Sequence, residues 1–243
     1  MSKKAINQNT NYDSELLNSI DSNFVFNENP INRLRNTADN VKKDNTFDQI
    51  DKEKELNELK LQINSINDCN LKDNSKKIVL GDGNINSPIM LVGEAPGAEE
   101  DSVGKAFLGE VGDLLKKMLN AINIKKEDIY ITYAVNFRPQ EDRKPTTIEI
   151  KRYSQFLQKQ ISIIKPKIII LMGSTAMESL TGLKNKISKE RGKWKEIIVK
   201  NTNYNVIITF NPSYLLRVPE NKKYSWEDLK KIKQKIADLK LNI

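Results

Sequence analysis

The chain has 243 residues, 38% of them hydrophobic, with a formal net charge of +8, one cysteine and no histidine. This length suits one domain with an extension, or two small domains. The missing histidine excludes a His base, a His triad and a His-ligated zinc, and the single Cys69 reads as a free thiol in a reducing compartment.

Residues 1–45 are rich in Asn, Asp, Ser and Lys and poor in apolar side chains. Such a segment cannot offset its ordering entropy by burial, so a disordered or loosely ordered extension is expected. Its short cluster Phe24-Val25-Phe26 suits docking on the domain or on a protein partner. Residues 46–75 form an amphipathic helix and a linker, with Phe47, Ile50, Leu56, Leu59, Leu61 and Ile63 at helical spacing and an end near Ile66 to Asp68. No apolar run approaches the ~18 residues of a membrane span, and the Met1-Ser2-Lys3-Lys4 start lacks a signal core. A soluble, cytoplasmic, monomeric protein is expected.

From Lys76 to Ile243 strands and helices alternate. Ile89–Val92 is a strand leading to a helix near Val111–Ala121. Ile129–Val135 leads to a helix over Thr147–Ile164, striped by Ile150, Phe156, Leu157, Ile161 and Ile164. Ile168–Met172 leads through Gly173-Ser174 to a helix near Thr175–Leu180. Val206–Phe210 precedes a loop and a helix from Trp226 to about Leu241, which Ser225 and Asp228 would cap. Four such units predict a three-layer α/β/α domain around a mostly parallel four-stranded sheet. Residues 1–75 hold 10 basic and 13 acidic residues, net −3; residues 76–243 hold 30 and 19, net +11. The basic excess suits a polyanion such as DNA; a solubilising surface accounts for it equally well.

The strand ends collect the unusual residues. After Ile89–Val92 comes Gly93-Glu94-Ala95-Pro96-Gly97, then Glu99, Glu100 and Asp101, then Gly104, Phe107 and Gly109. Ligands of α/β sheets bind at such carboxyl ends. A phosphate loop is excluded, because Gly104-Lys105 is followed by Ala106 and three acids would repel phosphate.

This stretch resembles the first motif of the type-4 uracil-DNA glycosylases: Gly-Glu-(Ala/Gly)-Pro-Gly, then acids, then Gly-x-Pro-Phe-Val-Gly. The likeness runs from about residue 66 to 238. Asn211-Pro212-Ser213-Tyr214-Leu215-Leu216-Arg217 resembles the family's His-Pro-(Ser/Ala)-Tyr-Leu-Leu-Arg. Arg138-Pro139 with Asp142-Arg143-Lys144-Pro145, and Ile187 to Trp194, resemble two further motifs.

The resemblance implies an enzyme that flips uracil out of DNA and hydrolyses its bond to the sugar. Phe107 would stack on the base. Backbone amides near Gly93, Glu94 and Ala95 would face its carbonyls, and Glu94 would line the pocket as a catalytic carboxylate. The family's uracil-reading Asn stands here as Tyr133, which cannot reproduce an amide's paired contact. Asn136, three residues on, belongs to the other strand face. Asn211 replaces the His that steadies charge on the leaving base, and still donates a neutral hydrogen bond. Leu215 or Leu216 would wedge into the gap, with Ser213, Arg217, Arg143, Arg191 and Lys193 on phosphates.

The family's four cluster cysteines align with Ile66, Cys69, Phe137 and Tyr153. Only one survives, so the 4Fe–4S cluster is expected to be lost, its void refilled by packing. The expected function is uracil excision from DNA, with weak or altered activity. The alternative is an inactive relative that binds DNA or a protein. Under the enzyme reading Tyr133 leaves room for a base. Under the alternative it plugs the pocket, and its ring stacked on Phe107 would speak for that.

Overall fold

The computed structural model describes residues 45–67 and 69–243. The expectations for residues 1–44, including Phe24-Val25-Phe26, lie outside the described residues. The first described element is helix α1, Asn45–Asn64, followed by the short α2, Asn70–Asp73. Leu56, Leu59 and Ile63 of α1 are buried, at the spacing of one narrow stripe. Ile50 and Leu61, expected on that stripe, are 62% and 69% exposed. Leu61 lies two residues from Leu59, which turns it ~200° away on a helix of 3.6 residues per turn.

Next come β1 (Asp82–Gly83), β2 (Ile89–Gly93), α3 (Ala98–Val103), α4 (Gly109–Asn120), β3 (Tyr130–Tyr133), α5 (Thr147–Ile164), β4 (Ile168–Met172) and α6 (Ser174–Thr181). The chain continues through α7 (Ile187–Glu190), β5 (Trp194–Val199), β6 (Thr202–Thr209), α8 (Pro212–Arg217) and α9 (Lys222–Asp238). Among the described residues the strands form one sheet in the order β1-β3-β2-β4-β6-β5. The four central strands are parallel, as the sequence predicts, and every residue of β2, β3 and β4 is buried. Burial on both faces is why these strands read as unbroken apolar runs.

Neighbouring side chains feed opposite layers. Met90 and Val92 join the core that includes α5, while Ile89 and Leu91 join the core that includes α4 and α9. The expected three-layer architecture therefore holds, but the four-stranded sheet is too small. Two antiparallel edges extend it: β1 pairs with β3, and β5 forms a hairpin with β6. The hairpin turns at Lys200 and Asn201, both with positive φ (46° and 64°), the geometry of a tight primed turn. Strand β5 is half exposed and mixes Lys195 and Glu196 with Ile197 and Ile198, so it carries no apolar run.

Helix α5 begins on a capping box: Thr146 accepts from the Glu149 amide, and Glu149 accepts from the Thr146 amide. Helix α1 packs on α5 and shares its core. Helix α9 starts at Lys222 rather than Trp226, so Ser225 and Asp228 lie inside it and do not cap it. Asp228 is fully buried and pairs with Arg191 instead. No helix of the described residues is long and apolar enough to cross a membrane.

Candidate functional site

Four parallel strands put four loops at the same end of the sheet. The loops after β2, β3, β4 and β6 enclose one crevice of about 540 Å³, whose wall includes Glu94, Phe107, Tyr133, Ser174, Asn211 and Arg217. The size is that of an ordinary small-ligand site.

One wall is aromatic. The Phe107 and Tyr133 rings stack with centroids 5.0 Å apart and planes 19° apart. Gly93 makes this possible: a Cβ there would sit 2.7 Å from both rings. Phe107 is held in a left-handed conformation (φ 51°) that bulky residues avoid. Lys126 pins it by donating to the Ala106 and Phe107 carbonyls at 2.8 and 2.7 Å. The Tyr133 hydroxyl accepts from the Phe107 amide at 2.9 Å and faces Glu100 Oε1 at 3.5 Å. Burial, and next the Glu100 charge, push the Tyr133 phenol well above its usual range, so it stays protonated. Glu100 also accepts from the Gly97 and Leu108 amides, and Asp101 from the Lys76 and Lys77 amides. These two acids hold the loop's shape. Asn136, in the bend after β3, bonds the Val79 carbonyl and stays out of the crevice.

The ring stack is the arrangement expected of a binding module. The two rings are 2% and 3% exposed, and a crevice of about 540 Å³ remains beside them.

Glu94 stands opposite. Its Oε1 accepts from the Thr175 amide at 3.0 Å and the Ser174 hydroxyl at 3.2 Å, at the start of α6. A helix start favours a carboxylate. Gly173 lets the carboxylate approach: a Cβ there would meet Glu94 Cδ at 2.3 Å, and its φ of 104° disfavours other residues. Asn211 caps α8, accepting from the Ser213 amide and hydroxyl, while its Nδ2 donates to the Met172 carbonyl at 3.3 Å. That donor points into buried structure through a long bond.

The remaining candidates separate. Ala95, Ser213, Arg143 and Arg217 line the crevice with the residues above. Leu215 is 1% exposed and belongs to the core, so it is no wedge; Leu216 is partly exposed on the same helix. Arg143 makes a two-pronged pair with Glu149, which draws that carboxyl down to about 2. Arg191 is not an available phosphate contact. Its guanidinium is spent on the buried Asp228 at 2.6 and 3.0 Å, with the Tyr224 carbonyl also accepting. Thr209 donates to the same carboxylate at 2.9 Å. Burial raises the Asp228 carboxyl, and the Thr209 and Arg191 hydrogen bonds oppose that shift. Lys193 is exposed and does not line the crevice. Ser174 and Thr175, which hold Glu94, are visible in the sequence only as the start of a helix after a strand. Lys126 has no sequence signal, since it reaches Phe107 from a separate turn.

The four positions that the resemblance assigns to a cluster do not fit one. Cys69, Phe137 and Tyr153 are buried, with Ile66 packed against the same core. Cys69 Sγ lies 3.2 Å from the Tyr153 hydroxyl, and the Phe137 and Tyr153 rings meet edge to face at 6.2 Å. One thiol beside three side chains that are not cluster ligands is no iron–sulfur ligand set.

Comparison with known proteins adds a separate line. The pattern of the family described as the Uracil DNA glycosylase superfamily matches residues 80–233. The type-4 uracil-DNA glycosylase of Thermotoga maritima is 40% identical over 168 residues, 68% of this chain and 86% of its own length. That of Archaeoglobus fulgidus is 33% identical over 181 residues, 73% and 91% respectively. A DNA polymerase of Bacillus phage SP01 is 36% identical over 128 residues, 52% of this chain and 14% of the polymerase.

Proposed function

The chain belongs to the uracil-DNA glycosylase superfamily, and on that premise we propose that it excises uracil from DNA in base excision repair. The observation that carries this reading is the meeting of four strand-end loops at one open crevice, with Glu94, Phe107 and Asn211 on its wall.

In this reaction a water oxygen bonds to the sugar C1′ while the C1′–N1 bond breaks. The electron pair leaves on uracil, and the water's proton passes to a base or to solvent. The transition state is cationic at the sugar, so a fixed carboxylate stabilises it. Glu94 suits that task. One of its oxygens is tied to α6, which leaves the second for water or the sugar. Phe107 is 2% exposed and stacked on Tyr133, so the Tyr133 ring would have to shift before Phe107 could offer the base an apolar face. Asn211 would support the charge on the leaving base by giving up its long bond to Met172, a weaker device than a cationic His. Leu216 and Arg217 would fill the gap and hold a phosphate. Glu94→Gln is expected to lower single-turnover uracil release about 100-fold with little change in DNA affinity. Abasic-site formation on a uracil oligonucleotide measures it, and full activity in the variant would remove Glu94 from the chemistry.

The same reading includes action as a monomer in the cytoplasm, with residues 1–45 as the place for a protein partner. It includes function without an iron–sulfur cluster, because the cluster positions are filled by Tyr153 and Phe137 packing. Purified protein is expected to carry no stoichiometric iron, and its melting temperature to be unmoved by chelators or ferricyanide. A cluster's visible absorption with matching iron content would overturn this.

A further inference from the structure

A second groove, of about 720 Å³, shares Lys144, Ser174, Phe210 and Tyr214 with the crevice and runs away from it between α6, α7 and the start of α9. Lys184 and Lys186 stand on its rim, and Tyr224, 38% exposed, lines it further out. Its one carboxylate on the wall, Glu178, already pairs with Lys184 at 3.7 Å and accepts from the Thr147 hydroxyl at 3.1 Å. Arg191 is neutralised by Asp228, but its guanidinium lies over Phe210 and Tyr224, at 5.7 and 5.1 Å from the ring centroids. Lys144 and Lys186 have no ion-pair partner among the described residues. The groove thus sets the cationic rim of Lys144, Lys184 and Lys186 beside the partly exposed rings of Tyr214 and Tyr224, with Phe210 buried beneath them, and is continuous with the crevice.

We propose that this groove binds unpaired nucleotides flanking the flipped uracil, so that the protein prefers uracil in single-stranded DNA. A duplex would keep its bases stacked inside and offer only phosphates to a concave aromatic floor. A single strand offers both phosphates and base faces, and this pairing of cations with rings is what such strands need. The proposal rests on the glycosylase reading for its position beside a flipped base. Its groove chemistry is independently measurable as binding.

The test uses the full chain, with fluorescence anisotropy and single-turnover cleavage on one uracil-containing oligonucleotide, single-stranded and fully paired. The wild type is expected to bind the single strand about tenfold tighter. The double variant Lys184→Glu, Lys186→Glu is expected to lose most of that difference. Its salt slope on single strands should fall by about 0.7 to 1.4, with Lys186 counting as one contact of about 0.7 and Lys184, shared with Glu178, as at most another. Circular dichroism verifies that the variant is folded; Lys184→Gln, Lys186→Gln, which removes charge without reversing it, serves in its place if it is not. Equal binding of both DNA forms by wild type would overturn the proposal, and so would an equal loss on both forms in the variant. A binding preference without uracil release would uphold the groove and sink the glycosylase reading.

Discussion

Tyr133→Asn is expected to raise uracil release by at least about tenfold over the wild-type chain. Under the proposed function the side chain at this position would meet the base edge. An amide accepts from uracil N3–H and donates to O4 at once, whereas a phenol hydroxyl does one or the other. Here it is also engaged already, accepting from the Phe107 amide and facing Glu100. Sites that hydrogen-bond a substrate group can discriminate by about 10⁴–10⁵, so restoring even part of that contact is large. The gain is partial because the same ring supports Phe107. Removing it opens space and leaves the Phe107 amide without its acceptor, which should cost about 2–4 kcal/mol. A drop in melting temperature of about 5–15 °C follows. Tyr133→Phe separates the two effects: it keeps the stack and loses the hydroxyl. Uracil release by wild type would show that the ring tolerates the base. Silence in wild type with rescue by Tyr133→Asn would mean a sound fold whose pocket this one residue had closed. Silence in both, with DNA binding retained, would favour the non-enzymatic alternative.

The residues that made the fold legible are those whose environment is uniform. Ile89–Val92 and Ile168–Met172 are buried on both faces, so their composition alone declares them. Thr146 and Glu149 mark the start of α5 because capping is local chemistry. Strand β5 was hidden since an edge strand with one solvated face keeps its charges. The same limit applies to the site. Glu94, Phe107 and Asn211 were visible as motif residues at strand ends. The partners that aim them were not: Ser174 reaches Glu94 across 80 residues and Lys126 reaches Phe107 across 19. Motif position also misled. Arg191 sits in a motif that suggests phosphate, and Ser225 and Asp228 match a cap. The fold joins Arg191 and Asp228 to each other, a long-range pairing that no local pattern encodes.

That pairing carries the other large effect. Arg191→Met is expected to destabilise the domain by about 3–5 kcal/mol, because it strands the fully buried Asp228 carboxylate with only Thr209, among the described residues, as a close donor. For a domain of this size the melting temperature should fall by about 6–20 °C. Asp228→Asn should cost less, since an amide still accepts from Arg191 and leaves no buried anion. The double change Arg191→Met, Asp228→Leu should recover much of the loss, as apolar replacements of a buried pair often do. The two roles for Arg191 make opposite predictions. A phosphate contact would leave the melt nearly unchanged and reduce the salt dependence of DNA binding by about one phosphate's share. A structural tie lowers the melt first and alters DNA affinity only as folding fails. The tie also joins the loop before β5 to α9, next to the aromatic floor of Tyr224 and Phe210. Its loss should therefore loosen that floor before it reaches the crevice, weakening single-strand binding at temperatures where uracil release from short substrates persists.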